Sequence, residues 1–169
     1  MEYSAGGITI RALSLQEVKW SIYDPGKLIE SLQLPLQELF NPDFLVKKFE
    51  EITIPNIEKN PGQWIYFTKW IAIDEATGLV VADFNIKHGV EPDGSVEIGY
   101  GIYPAFEGKG YMTCIVSCII EWATKDPLVE YVKAETEKNN IGSIRVLQKN
   151  GFIQVEENEK NFWWKIPVK

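Results

Sequence analysis

The sequence predicts an α/β fold in which one mixed β-sheet is covered by helices. Three observations lead there. Short runs rich in β-branched and aromatic residues dominate the middle of the chain, an apolar helical repeat follows a glycine-containing loop at 106–110, and the last third alternates strand and helix patterns before closing on two strands. Strands first, then strand–helix–strand–helix–strand–strand, is the order of a mixed sheet with helices on its faces. A chain of 169 residues, 45% hydrophobic, can bury one substantial core, so a single domain spanning 1–169 is expected.

Taken in order, residues 8–12 (ITIRA) alternate as an opening or edge strand does. Residues 24–59 hold the helix-like runs LIESL and NPDFLVKKFEEI, broken by Pro35, Pro42 and Pro55 with Pro61 just beyond, which predicts two or three short helices joined by bends. Residues 64–74 and 79–86 read as strands, with DEATG as the hairpin turn between them. Residues 96–103 form a further strand that contains Gly99 and Gly101. Glycine weakens a strand and marks a bulge or the close approach of another backbone or a ligand. Ile115, Val116, Ile119, Ile120 and Ala123 then recur at helical spacing, and the helix ends near Asp126-Pro127. Residues 129–136 read as a strand, and 140–150 as a helix with Gly151 in the usual C-terminal capping place. Residues 152–157 and 162–168 close the chain as two strands around NEKN.

Composition excludes several classes. A formal net charge of −7 disfavours a nucleic-acid partner; it suits a cationic or amine-bearing one, and also simple solubility. No apolar run is long enough to cross a bilayer, and MEYSAGGITIRALSLQEV has neither the flanks of a secretory signal nor an arginine-rich face, so no membrane association and a cytoplasmic location are expected. Cys114 and Cys118, one helical turn apart in an apolar stripe, are expected to pack the core, and their isolation argues against a metal site or a disulfide framework. His88, the only histidine, stands beside Gly89 as a turn residue. Trp64, Trp70, Trp122, Trp163 and Trp164 are expected to pack the core.

The stretch FEGKGYMTCIVSCIIEWA at 106–123 raises a chemical question, because two glycines bracket a lysine where a strand gives way to a helix. Helix N-termini bind anions through uncovered backbone N–H groups and the helix dipole. A Walker loop does not fit, since Gly110 is followed by Tyr111 and Met112. A G-x-G-x-x-G dinucleotide loop starting at Gly99 fails at Pro104. What remains is a strand, a short G-x-G loop and a helix, a connection with a purely structural explanation as well as an anion-binding one.

The segment IGYGIYPAFEGKGYMT followed by AETEKNNIGSIRVLQKNGF resembles the GNAT superfamily of acetyl-CoA-dependent N-acetyltransferases, and within it the ribosomal-protein N-terminal acetyltransferase-like subgroup. The likeness is sharp over 96–152 and looser over the flanking strands. It implies an α/β fold with a mixed, mostly antiparallel central sheet flanked by helices, and transfer of acetyl from acetyl-CoA to a primary amine with no metal. The family's Q/R-x-x-G-x-G/A diphosphate loop falls on 105–110. Gly108 and Gly110 match it, Ala105 departs from it, and Glu107 adds a negative charge that Lys109, or Arg145 and Lys149 on the last helix, would offset. The last two read equally as a solvated helix face. In this family the pantetheine arm lies beside the strand before the loop. The implied coenzyme-binding residues are therefore Gly101, Ile102 and Tyr103, then Gly108, Lys109, Gly110, Tyr111 and Met112, with Asn140 and Ser143 on the last helix.

The chemistry needs two proton transfers. An amine is mostly ammonium at neutral pH and must lose a proton before it attacks the thioester, while the departing thiolate, with a pKa near ~8.5 for a simple thiol, benefits from a donor. Glu97 matches the family position that often acts as base, directly or through water; pattern alone equally allows an outward strand carboxylate. The tyrosine that many members use as acid is replaced here by Leu147, and the subgroup's serine donor falls on Ser143. Asn140 and Ser143 also read as a helix cap and a first-turn residue. The acceptor pocket is expected from residues 23–57. The resemblance leaves a protein N-terminus or a small molecule such as an antibiotic, polyamine or amino acid as the acceptor, and a monomer or homodimer as the assembly. A non-catalytic acyl-CoA sensor would need only the Gly108–Gly110 cradle.

Overall fold

The computed structural model describes residues 1–169. Eight strands, β1 (Glu2–Ala5), β2 (Ile8–Ala12), β3 (Lys69–Asp74), β4 (Val80–Val90), β5 (Ser95–Ile102), β6 (Tyr131–Glu137), β7 (Ile153–Glu157) and β8 (Asn161–Pro167), form one sheet in the order β1-β2-β3-β4-β5-β6-β8-β7. Every neighbouring pair is antiparallel except β5 and β6. The α/β class and the mixed, mostly antiparallel sheet expected from the sequence are what the structure shows.

Strand alternation sends successive side chains to opposite faces, and each face has its own helices. Trp70, Phe84, Val96 and Ile98 pack in one cluster with Ile115, Val116, Ile119 and Trp122 of α5 (Tyr111–Lys125) and Leu147 of α6 (Ile141–Lys149). Each such fully buried side chain contributes about 1.5–3 kcal/mol of transfer free energy. Ile71 and Val80 face the other way, against Val18 of α1 (Leu15–Tyr23), Leu28 and Ile29 of α2 (Pro25–Ser31) and Ile57 of α4 (Ile54–Lys59). Between these helices, α3 (Asp43–Lys48) runs through a π-helical turn at Phe49–Thr53 into α4. No helix is long and apolar enough to cross a membrane.

Several elements differ from the expectation. Residues 64–66 are not strand but the end of a 3-10 segment, Pro61–Tyr66, and β3 begins only at Lys69. Side-chain bonding explains this: the Tyr66 hydroxyl donates to both carboxylate oxygens of Asp126, at 2.9 and 2.8 Å, and the Trp70 indole donates to the Ile65 carbonyl. Helix α1 was not expected. Ser14 and Glu17 form a reciprocal capping box at its start, a pattern legible in S-L-Q-E. Strand β1 was also missed; it pairs with β2 across Gly6 and Gly7, both at positive φ. Cys118 is buried as expected, whereas Cys114 faces solvent. His88 is exposed in the irregular end of β4. Trp70, Trp122 and Trp164 are buried, while Trp64 and Trp163 are half-buried.

Candidate active site

The site begins where the sheet opens. Parallel pairing between β5 and β6 runs from Ser95 opposite Tyr131 to Ile98 opposite Ala134 and stops there. Strand β5 continues alongside β4 to Ile102, and β6 alongside β8 to Glu137, so the two strands diverge. Residues 99–102 therefore present an edge with no strand partner on that side, and a Cβ at Gly101 would meet nothing within 4 Å. Against this edge lies a cavity of about 690 Å³, closed by the start of α5 on one side and the first turns of α6 on the other.

The loop before α5 supplies the cavity's electropositive end. Gly108 and Gly110 adopt φ of 71° and 83°, and a Cβ at either would touch nothing, so the backbone conformation and not packing demands glycine there. Gly110 is the N-cap and no side chain caps the helix. The backbone N–H groups of residues 108–112 donate to no backbone carbonyl; the first loop bond into α5 is from Thr113 N to Gly110 O. Successive free N–H groups at the positive end of a fifteen-residue helix form an anion cradle. Arg145 and Lys149, one turn apart on α6, line the same cavity, as does Glu107. Lys109 does not: its Nζ donates to the Ala105 carbonyl at 2.8 Å and lies over the Phe106 ring.

Asn140 and Ser143 both line the cavity. Asn140 Oδ1 accepts from the Ser143 N–H at 3.0 Å, so this side chain is the cap of α6. The Ser143 hydroxyl lies 2.7 Å from the Tyr100 hydroxyl, which reaches it from β5. Burial raises the Tyr100 pKa, and its hydrogen bond to Ser143 opposes the rise. Leu147 is fully buried in the core.

Glu97 stands on the other face of β5 and does not line the cavity. Lys87 Nζ donates to it at 2.5 Å and to Glu135 at 3.3 Å. Burial alone would lower the Lys87 pKa, but the hydrogen bonds and charges of the two carboxylates raise it. The segment expected to hold the acceptor covers this face. Lys48, at the end of α3, donates to Asn85 Oδ1 at 3.0 Å, and its pKa is lowered by burial and then by the neighbouring charge of Lys87. The Lys69 ammonium lies under the Phe49 ring and 3.2 Å from Asp83 Oδ2, an ion-pair distance without hydrogen-bond alignment. Tyr103, expected beside the coenzyme, turns instead into the smaller cluster against Phe40, with its buried hydroxyl unpartnered.

The family model described as acetyltransferase (GNAT) domain matches residues 39–153, about two thirds of the sequence. The chain belongs to the GNAT acetyltransferase family. The uncharacterized N-acetyltransferase YjdG of Bacillus subtilis is 27% identical over 126 residues, covering 73% of this chain and 72% of that one. Among solved structures, the ribosomal-protein-S5-alanine acetyltransferase of Vibrio fischeri aligns with a TM-score of 0.68 at 15% identity, over 99% of this chain and 97% of its own. The spermidine N-acetyltransferase of Vibrio cholerae, solved with CoA and spermine, aligns with a TM-score of 0.66 at 11% identity, over 97% of each chain. At these identities the two structures share the fold.

Acetyl transfer is the activity of the GNAT family, and acetyl-CoA its donor. The site fits that donor: an open strand edge suits an extended amide-bearing arm, and a free helix N-terminus suits a diphosphate. Of the residues expected to contact it, the cavity gathers Gly101, Ile102, Gly108, Gly110, Tyr111, Met112, Asn140 and Ser143, and leaves out Tyr103 and Lys109; Glu97, expected as the base, lies outside it. Sequence reasoning missed Tyr100, which lies in the apolar register of Val96 and Ile98 and reads as a core position. Its hydroxyl at the end of an otherwise apolar strand face was the one available signal.

Proposed function

We propose that this protein transfers the acetyl group of acetyl-CoA to a primary amine by direct attack within a ternary complex, with a protein N-terminus as the acceptor class. The observation that carries this reading is the divergence of β5 and β6, which leaves one strand edge unpaired beside the cavity. On the α5 face, the N–H groups at 108–112 with Arg145 and Lys149 take the diphosphate, and the edge at 99–102 takes the pantetheine arm. The acceptor enters from the face covered by residues 23–57. There Glu97 removes the ammonium proton, the amine attacks the carbonyl carbon, and the C–S bond breaks with Ser143 donating to sulfur.

Lys48 favours a peptide over a polyamine. Lys87 on the same face is paired with Glu97 and Glu135, whereas the Lys48 ammonium donates only to the neutral Asn85 amide and would repel a polycationic acceptor. An N-terminal amine brings one charge and an extended backbone. Thiol release from acetyl-CoA tests the reading, measured with peptides of varied N-terminus, polyamines, amino acids and aminoglycosides. Fast release with a peptide is expected. Fast release with only a small amine would move the acceptor class, and no release with any amine, alongside clear acetyl-CoA binding, would leave a sensor.

A further inference from the structure

The proton donor for sulfur has a partner that neither the motif nor the loop chemistry identifies. Ser143 is the weakest kind of acid, a neutral hydroxyl, and a free rotor can point its proton anywhere. Two contacts hold this residue, one at its backbone and one at its hydroxyl. Its backbone N–H is held by Asn140 Oδ1 at 3.0 Å, and its Oγ lies 2.7 Å from Tyr100 Oη. Tyr100 comes from β5, at the level where β6 has already parted from it, so this hydrogen bond spans the cavity wall from strand to helix. The place on α6 from which an acid could reach in, Leu147, is apolar and fully buried. No other side chain bonds to Ser143 Oγ.

We propose that Tyr100 is a positioning residue for the transfer, donating its phenolic hydrogen to Ser143 Oγ so that the serine proton is free to point at the departing sulfur. The polarity of the bond decides this. Were serine the donor, its only proton would be spent on the phenol, and sulfur would meet lone pairs. With tyrosine as donor, Ser143 keeps one proton for the thiolate and its oxygen is already compensated as that proton leaves. Burial raises the Tyr100 pKa, so the phenol keeps across the neutral range the hydrogen that this bond requires.

The step balances as follows. The amine nitrogen lone pair forms the C–N bond, the C–S bond breaks with its electron pair passing to sulfur, and sulfur takes the Ser143 proton. Ser143 Oγ is restored by the Tyr100 proton, and the phenol oxygen regains one from water. That proton matches the second one the nitrogen loses on becoming an amide, the first having gone through Glu97 to solvent.

The proposal rests on Ser143 as the sulfur donor, so the test separates the two. It uses the full chain with acetyl-CoA and a working acceptor, and compares Tyr100→Phe, Ser143→Ala and the double variant for kcat, for KM toward acetyl-CoA and for the acetyl-CoA-induced rise in Tm. Each single variant is expected to lose about 10-fold in kcat with KM and the Tm rise unchanged, and the double variant to lose no more than either single one. Both defects should shrink with an acetyl thioester of a more acidic thiol, a readout that a mere packing role for the ring would not move. Wild-type kcat in Tyr100→Phe with an impaired Ser143→Ala overturns the role of Tyr100 and leaves the serine donor standing. Wild-type kcat in Ser143→Ala overturns both. Multiplicative losses in the double variant overturn the coupling.

Discussion

Glu97 and Ser143 approach the parting of β5 and β6 from opposite faces of the sheet, so each can serve a different proton. Glu97→Gln is expected to lower kcat by roughly 10²–10⁴-fold, the range for a positioned base, and to leave the acetyl-CoA-induced Tm rise intact. The defect should narrow as pH rises, because more acceptor arrives as free amine; a flat wild-type profile would remove the base role from this carboxylate. The two cysteines offer a second check at this scale. Burial pushes the Cys118 thiol pKa up to about 11, while Cys114 is exposed. A thiol reagent at pH 8, read by mass spectrometry, should add one label to the native protein, at Cys114, and two after denaturation. Rapid double labelling of native protein would contradict the packing around Cys118. The residue scale was also the least legible in sequence. Glu97, Gly108, Gly110, Asn140 and Ser143 were visible as a family pattern, but a pattern does not give side-chain direction. It could not show that Lys109 folds back on Ala105 or that Tyr100 reaches Ser143.

Among the elements, α5 and α6 contribute differently to the cavity. Helix α5 offers free N–H groups, and α6 brings Arg145 and Lys149 to the same cavity, where they outnumber the charge of Glu107. In a chain with net charge −7 this is a local reversal of sign. Replacing both cations by alanine should weaken acetyl-CoA binding by about 10-fold, equal to 1.4 kcal/mol, and flatten its salt dependence. Calorimetric titration at low and high salt reads this directly, and unchanged affinity at low salt would return the pair to a solvated helix face. Helix α5 was readable because its apolar repeat and its glycine start coincide. The break at 61–68 was not, since Trp64, Ile65, Tyr66 and Phe67 carry strand propensity that the bonds of Tyr66 to Asp126 override. Helix α1 was missed although its capping box stands in the sequence, because Val18 is its only fully buried apolar residue and the run is too short to show a repeat.

At the scale of the molecule, one sheet carries a core on each face, and the proposed donor and acceptor sides lie on opposite faces of it beside the parting of β5 and β6. The order of strands and helices announced the class of this sheet. The parting of its two parallel strands was not readable, since it depends on where pairing stops and not on composition. Ligand occupancy of the gap should therefore register as global stability. At a concentration of one hundred times its dissociation constant, acetyl-CoA should add about 2.7 kcal/mol. For a domain of this size that is a rise in Tm of roughly 5–10 °C. Gly108→Asp places a side chain at positive φ and a negative charge against the cradle, so it tests the diphosphate position without touching either proton-transfer residue. The decisive measurement is thermal unfolding of the wild-type protein and Gly108→Asp, each with and without saturating acetyl-CoA. A rise of that size in the wild type and none in the variant is the predicted result; no rise in the wild type, or the same rise in both, would contradict the assignment of this cavity to acetyl-CoA.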